Sequence, residues 1–224
     1  YLFPHTYFIG GATAAAGGLT KWFRDNFSSL EKTIQMELGI NAYALLNDEA
    51  AKIQEPTGII VLPYFSGARS PINDENARGM IAGLTLAHTR NHLYKALLEG
   101  IAYEIRHNFE VMAEAGVDPK RIIAVGGGTK SRVWTQLVSD ILGKEQYCID
   151  QEGGAPLGAA YLAGLGIGII PDPACIREQY VKIERVVRPS AEMEERYEGY
   201  YQIYRTLYEE TKDSMKKLAQ IINK

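Results

Sequence analysis

Cysteine is scarce in this sequence, and long apolar runs are missing. Two cysteines among 224 residues are too few for a disulfide scaffold, and they lack the CxxC spacing typical of metal and redox sites. We therefore expect free thiols in a reducing, cytoplasmic compartment. No apolar run reaches the roughly 20 residues needed to cross a bilayer, so we expect a soluble chain with no membrane partner.

A surplus of basic residues is also missing. The 24 Lys and Arg residues stand against 27 Asp and Glu residues, which gives a formal net charge of −3. Nucleic acids attract proteins with a basic excess, so they are not expected partners. The first residue, Tyr1, is not an initiator Met, and no signal-like leader follows it. We therefore expect this chain to be a piece of a longer protein.

The residues that are present alternate between strand and helix patterns. Apolar residues make up 46% of the chain, as in an ordinary globular domain. Continuous β-branched runs at 58–62 and 121–125 predict strands that are buried on both faces. We expect 58–62 and 122–125 to lie in one parallel sheet, with shorter strands at 7–9 and 146–149.

Helical periodicity marks the segments between these strands. The predicted helices share apolar residues at a 3.6-residue spacing, and Thr89 and Ser131 are the residue types expected at an N-cap. Gly100, inside the longest helix, suggests a close crossing with another helix. The last helix carries a stripe of tyrosines that we expect to dock it on the core. The helical segments are 14–27, 30–52 with a break at Gly39, 89–115, 131–141, 156–163 and about 190–224.

The clearest candidate for a ligand site is VGGGTKS, residues 125–131. A strand that runs into three glycines and a helix start lets backbone N–H groups approach a ligand without a Cβ in the way. That arrangement suits an anion or a nucleotide, although it matches neither the GxxxxGK(S/T) nor the GxGxxG pattern. A tight turn that binds nothing is an equally good interpretation of the local sequence.

Two other runs of small residues share this ambiguity. GGAPLGAA at 153–160 follows a strand and opens a helix, and AAAGG at 14–18 leads into Thr20 and Lys21. Small residues permit either a ligand or a neighbouring element to come close. Packing alone therefore explains both runs as well as binding does.

Three motifs in a fixed order resemble the C-terminal half of the FGGY carbohydrate kinases. The first is GMIAGL at 79–84, with His92-Leu93 and Ala96-Leu97-Leu98-Glu99 downstream. The others are VGGGTKSRVW at 125–134, which is most similar to the xylulokinase-like branch, and GGAPLGAAYLAGLG at 153–166. The order and spacing of these motifs match the family over nearly the whole chain.

The resemblance implies an α/β fold of the ribonuclease-H-like, actin-like ATPase type, with a mixed sheet flanked by helices. Residues 1–224 would be one C-terminal domain that closes with an N-terminal domain over ATP, Mg²⁺ and a sugar or polyol. A second copy of the chain is a further partner compatible with the resemblance. The residues that it places around the nucleotide are Gly126, Gly127, Gly128, Thr129 and Ser131, with Gly17, Thr20 and Lys21 near the ribose and phosphates.

The resemblance assigns the catalytic groups to the other domain. Family members carry a DxGT phosphate loop and a proton-accepting Asp there, and neither motif occurs in this sequence. Positioning and charge neutralisation carry phosphoryl transfer, so we expect transfer only in an intact protein and assign no catalytic residue here. Asp140 is predicted to be structural. The other aspartates in unmatched contexts are Asp74, Asp118, Asp150 and Asp172.

Other functions remain open. A nucleotide-sensing module of the actin and Hsp70 superfamily would carry the same glycine turn without phosphorylating a sugar. An NAD-binding Rossmann domain is disfavoured, because a glycine-rich first strand-helix turn and an acidic residue about 20 positions after it do not occur together; Cys148 lies near the expected place instead.

Single polar residues offer weaker candidates. His88 and His92 lie four residues apart but have no third metal ligand in sequence, so we predict no metal site. Arg69 and Arg78 suit either a phosphate clamp or ion pairs with the acidic residues of their own loop, Asp74 and Glu75.

Overall fold

The computed structural model describes residues 7–150, 154–175 and 182–222, and within them helices and strands alternate as predicted. The fold class is therefore confirmed as α/β. The helices are α1 (Ala16–Phe27), α2 (Ser29–Leu38), α3 (Ala42–Ala51), α4 (Arg90–Glu114), α5 (Arg132–Leu142), α6 (Gly154–Gly166) and α7 (Ala191–Ile222). The strands are β1 (Ile60–Leu62), β2 (Met80–Ala82), β3 (Ile122–Ala124), β4 (Gln146–Asp150) and β5 (Lys182–Val187).

The strands form two separate sheets. β1 pairs with β2 in an antiparallel ladder, whereas β3 pairs with β4 in parallel and β4 pairs with β5 antiparallel. The prediction that 58–62 and 122–125 share one parallel sheet is therefore wrong. β1 is fully buried because α4 and α7 pack against it. A continuous apolar run indicates burial, but it does not specify which strand is the neighbour.

Two further strand predictions need correction. Residues 7–9 have no regular secondary structure and are exposed, because no described strand pairs with them. The 121–125 run does contain a strand, but Ile123 is 47% exposed and Val125 is 55% exposed. β3 lies at the edge of its sheet, and none of its three residues is fully buried.

The helix boundaries agree closely with the sequence patterns. α2 ends at Gly39, whose φ of 71° lies in the left-handed region that favours glycine. α4 begins after Thr89, which forms a capping box with His92. Ser131 caps α5 by accepting a hydrogen bond from the Trp134 N–H at 3.1 Å. These ends are set by neighbouring residues, and the sequence therefore predicts them.

Helix α4 is the centre of the core, and Gly100 fixes its contact with β1. A Cβ added to Gly100 would lie 2.5 Å from the carbonyl oxygen of Val61. The close approach inferred at this glycine therefore exists, but its partner is a strand and not a helix.

The tyrosine stripe docks α7 on α4 and β1, as predicted. Tyr197, Tyr201 and Tyr204 are almost fully buried, and all three rings pack around Tyr103 of α4. The hydroxyls of Tyr204 and Tyr64 are 2.9 Å apart, within hydrogen-bond distance. Buried tyrosines contribute large apolar area while their hydroxyls find partners, which explains how a helix so rich in polar residues joins the core.

Charged groups are buried beside these tyrosines. The Lys95 ammonium donates hydrogen bonds of 2.7 Å to the carbonyl oxygens of Ile53 and Glu55. It also lies 3.7 Å from the carboxylate of Glu99. These contacts tie α4 to the segment between α3 and β1, and they satisfy a charge that would otherwise be costly to bury.

Asp140 has the structural role predicted for it. Its carboxylate accepts hydrogen bonds of 2.8 Å from the Ser190 N–H and from the Gln136 side chain. The bond to Ser190 holds the start of α7 against α5. None of the helices described has the length and apolarity needed to cross a bilayer.

Candidate functional site

The glycine turn after β3 has a fixed conformation. Gly126 adopts a φ of 91°, which residues with a Cβ rarely adopt. Residues Gly127–Lys130 then form a 3₁₀ helix. Thr129 closes this turn, because its N–H and its hydroxyl both donate to the Gly126 carbonyl, at 3.1 and 2.7 Å. The turn therefore presents a defined backbone surface.

The three glycines serve three different purposes. Gly126 supplies the positive φ, while a Cβ on Gly128 would lie 3.0 Å from Nε1 of Trp134. At Gly127 an added Cβ would meet nothing within 4 Å. All three glycines are exposed. Gly127 therefore borders open space in which a ligand can contact the backbone, and its side-chain position is not needed for packing.

Arg185, on β5, contacts this turn with its guanidinium, and sequence reasoning missed it. Its guanidinium donates hydrogen bonds to the Thr129 carbonyl at 2.9 Å and to the Thr135 hydroxyl at 3.0 Å. Arg185 follows Thr129 by 56 residues, so no local pattern could have indicated the contact.

The α1 candidates lie at a different place. Gly17 lines a cleft of about 560 Å³ together with Trp22, Phe65 and Ser66. Neither Thr20 nor Lys21 is among its lining residues. Thr20 donates a hydrogen bond to the Gly17 carbonyl at 3.0 Å, within α1 itself.

Lys21 is held by a neighbour on the same helix. Its ammonium lies 2.5 Å from the carboxylate of Asp25, and this hydrogen bond, with another from Arg24, lowers the pKa of Asp25 to about 2. Both partners are accessible to solvent, so the pair contributes little stability and opens easily. Lys21 is therefore available to a ligand at low cost.

The glycine turn and the α1 cleft do not share a lining, but α1 and the helix after the glycine turn, α5, both pack on α4. None of residues 126–131 lines the cleft that contains Gly17. The ring of Phe23 in α1 packs on Tyr94 with centroids 5.2 Å apart. The next residue, Lys95, lines a second cleft with Arg132 and Val133 at the start of α5. Adjacent residues of α4 therefore face α1 and the cleft at the start of α5.

The third family motif and the histidine pair are the remaining sequence candidates. Gly153, in the third family motif, lies outside the described residues. The rings of His88 and His92 are 5.6 Å apart, and in residues 7–150, 154–175 and 182–222 no group of three His, Cys, Asp or Glu side chains could hold a metal ion. His92 instead accepts the backbone N–H of Thr89 at the helix cap.

The arginines of the long loop do not form the ion pairs considered for them. Arg78 donates to the backbone carbonyls of Glu75 and Ala77, both at 2.9 Å, and not to a carboxylate. Asp74 instead accepts the Tyr208 hydroxyl at 2.8 Å. The loop is thus held partly by α7.

Comparison with known proteins identifies relatives over almost the whole chain. The model of the FGGY family of carbohydrate kinases, C-terminal domain, matches residues 2–167. A xylulose kinase of Staphylococcus epidermidis is 32% identical over 220 residues, which is 98% of this chain and 42% of that protein. A glycerol kinase of Desulfitobacterium hafniense is 35% identical over 200 residues, which is 88% of this chain and 37% of that protein.

A solved structure is also similar. The crystal structure of xylulose kinase from Rhodospirillum rubrum superposes with a TM-score of 0.76 and 32% identity, over 92% of this chain and 40% of that one. This chain therefore spans about two fifths of the length of the relatives that it matches.

Proposed function

Because the chain belongs to the FGGY family of carbohydrate kinases, we propose that it is the nucleotide-binding half of an enzyme that transfers the γ-phosphate of ATP to a hydroxyl of a sugar or polyol. The observation that carries this proposal is the glycine turn, where Gly127 borders open space. Backbone N–H groups at such a turn, together with the start of a helix, suit a nucleotide.

In this proposal the turn faces the adenosine. The contacts come from Gly126, Gly127, Gly128, Thr129 and Ser131. Ser131 accepts the Trp134 N–H with its oxygen, so its hydroxyl proton remains available to a ring nitrogen of the base. A hydroxyl can therefore cap α5 and contact a nucleotide at the same time.

The ribose and phosphates are assigned to α1, where Gly17, Thr20 and Lys21 lie. Gly17 lines an open cleft, and nothing within 4 Å would meet a Cβ there. Lys21 reaches a phosphate only by leaving Asp25, and their exposed ion pair makes that exchange inexpensive.

Mg²⁺ accompanies ATP in phosphoryl transfer and neutralises charge on the transferred group. The described side chains alone do not form a magnesium site. We assign the ion to the nucleotide phosphates and to residues of the full-length protein outside this chain. The same holds for the group that accepts the proton of the substrate hydroxyl.

The first substrate to test is a ketose such as xylulose, and the second is glycerol, since kinases for both compounds are among the relatives. A coupled ADP assay on the full-length protein should show release that depends on one of these compounds. Residues 1–224 alone should show none. A full-length protein that binds ATP but phosphorylates no sugar or polyol would favour the nucleotide-sensing module.

The site is tested by Gly127→Val in the full-length protein. A Cβ added there meets no atom of the described residues within 4 Å, so the fold should be kept while the larger side chain occupies the proposed nucleotide space. Calorimetry should show ATP affinity at least about tenfold weaker. The matched control is Gly199→Val, where an added Cβ is equally unobstructed and affinity should not change. A folded Gly127→Val protein with normal ATP affinity would exclude the turn.

A further inference from the structure

The side chain of Arg185 leaves β5 on the face of the sheet that packs on α5. Across the ladder, Arg185 lies opposite Cys148 of β4, and opposite residues share a face. Cys148 is 1% exposed. Val187, two residues along β5 and on the same face, has its carbonyl bonded to the Ser139 hydroxyl of α5 at 3.3 Å. Arg185 therefore extends along a buried face toward the glycine turn.

Two nitrogens of the guanidinium contact two different segments. Nη2 donates to the Thr129 carbonyl in the 3₁₀ turn, and Nη1 donates to the Thr135 hydroxyl in the first turn of α5. Because a guanidinium is planar and its donors are fixed relative to one another, the two bonds together set the position of the turn relative to the helix.

Thr135 extends this restraint to the helix cap. Its hydroxyl donates toward the carbonyls of Ser131, at 3.1 Å, and Arg132, at 3.2 Å, and its oxygen accepts from Arg185. Thr135 is almost fully buried, so water does not compete for these hydrogen bonds. Arg185 thus restrains Thr129 directly and Ser131 through one intermediate hydroxyl.

The guanidinium of Arg185 has no carboxylate partner among the residues that the structure describes. By contrast, Arg188, the first residue after β5, forms an ion pair with the carboxylate of Glu145 at 2.9 Å. A half-buried guanidinium bonded only to neutral oxygens forgoes the strength of a charge-charge pair. What it provides here is the geometry of two bonds that meet at the turn.

From this network we infer that Arg185 is a positioning residue for the nucleotide turn: it acts through Thr129 and Thr135 and does not itself touch the substrate. The inference rests on the proposed nucleotide site. Without Arg185, the turn loses its link to β5, and the backbone groups that face the nucleotide are no longer held in one arrangement. ATP binding should then weaken, whereas sugar binding, which does not use this turn, should not.

The test compares Arg185→Met, Arg185→Lys and Thr135→Val in the full-length protein. Arg185→Met should raise the KM for ATP about tenfold or more and leave the KM for the sugar within twofold. Arg185→Lys keeps the positive charge but not the planar set of guanidinium donors. Its KM for ATP should therefore lie between those of the wild type and Arg185→Met. Because Thr135→Val breaks one arm of the same network, the double variant with Arg185→Met should be no worse than Arg185→Met alone. The control Arg188→Met should bind ATP normally.

The outcomes separate this inference from the proposed function. If the unmodified full-length protein fails to bind ATP, the proposed function is wrong and the inference falls with it. If it binds ATP and Arg185→Met binds equally well, only the inference is wrong. A normal KM for ATP in Arg185→Lys would show that charge and not geometry matters, and would also overturn it. If Arg185→Met does not fold, Arg185→Lys and Thr135→Val still test the inference. Both should raise the KM for ATP and leave the KM for the sugar unchanged.

Discussion

The phenol of Tyr197 donates a hydrogen bond of 3.0 Å to the carboxylate of Glu99. Both side chains are almost fully buried, and the bond joins α7 to α4 at the centre of the core. Burial raises the pKa of Glu99 to about 7, although Lys95 and the hydrogen bonds from Thr57 and Tyr197 oppose the rise. The docking of α7 therefore depends on a polar contact as well as on apolar area.

Tyr197→Phe should lower the free energy of unfolding by about 1 to 3 kcal/mol, because the buried Glu99 carboxyl loses a donor while the ring remains. Urea unfolding measures the change. Tyr200→Phe is the matched control on the same helix, since its hydroxyl makes no hydrogen bond within the described residues, and it should change stability by less than about 0.5 kcal/mol. Equal losses in the two variants would contradict the prediction.

Glu104 should make stability depend on pH. It is 2% exposed and its Oε2 has no hydrogen-bond partner in the described structure. Burial raises its pKa from 4.5 to about 8. The folded state therefore binds the proton more tightly than the unfolded state, so the contribution of Glu104 to stability is greatest below about pH 4.5 and falls as the pH rises to about 8.

Glu104→Gln removes this titration. The variant should gain stability relative to the wild type as the pH is raised from 5 to 8, by up to about 1.4 kcal/mol per pH unit. Melting temperatures across that range measure the difference. Glu114→Gln, at an exposed position of the same helix, should show no such trend. A constant difference between Glu104→Gln and wild type would rule out the raised pKa.

Gly100→Ala should destabilise the chain even though alanine is the better helix former. Alanine gains about 1 kcal/mol in helix propensity, but its Cβ would lie 2.5 Å from the Val61 carbonyl oxygen, and separating α4 from β1 costs more, so we expect a net loss of about 1 to 3 kcal/mol. Gly199→Ala, with nothing within 4 Å of the new Cβ, should instead stabilise. The prediction fails if both substitutions stabilise in thermal unfolding.

Ser131→Ala removes the cap of α5 and should lower the free energy of unfolding by about 1 kcal/mol. Ser131→Asn keeps an acceptor suited to an N-cap and should stay within about 0.5 kcal/mol of the wild type. Since the residue is also assigned to the nucleotide site, ATP affinity should fall in the alanine variant and be kept in the asparagine variant. Unchanged stability in Ser131→Ala would show that the observed 3.1 Å cap bond is not needed.

The features predicted correctly from sequence depend on neighbours along the chain. Thr89 and Ser131 cap helices within three residues of themselves, and Gly39 ends a helix by its own φ. The tyrosine stripe of α7 follows from helical spacing alone. The position of the glycine turn between a strand and a helix likewise follows from consecutive residues, whereas its 3₁₀ conformation was not predicted.

The features that were missed depend on distant segments. The pairing of 58–62 is decided by α4, α7 and β2, and apolar composition does not rank those partners. Arg185 contacts a turn that precedes it by 56 residues, and an arginine in a strand has no pattern that signals this role. The sequence indicates that Gly100 lies at a close contact, but it does not indicate whether the neighbouring element is a helix or a strand.

The short stretch of α4 that contains Tyr94 and Lys95 has a mechanical consequence. Through Tyr94 it contacts α1, and through Lys95 it borders a cleft with the start of α5. Gly100 lies so close to β1 that α4 cannot shift without a steric clash between its backbone and the strand. The helices next to the two glycine-bearing segments, α1 and α5, therefore both pack on a helix that is held in place. Under the proposed function, a nucleotide that contacts both segments would meet helices already anchored on α4, so little of its binding free energy would be lost to ordering the protein.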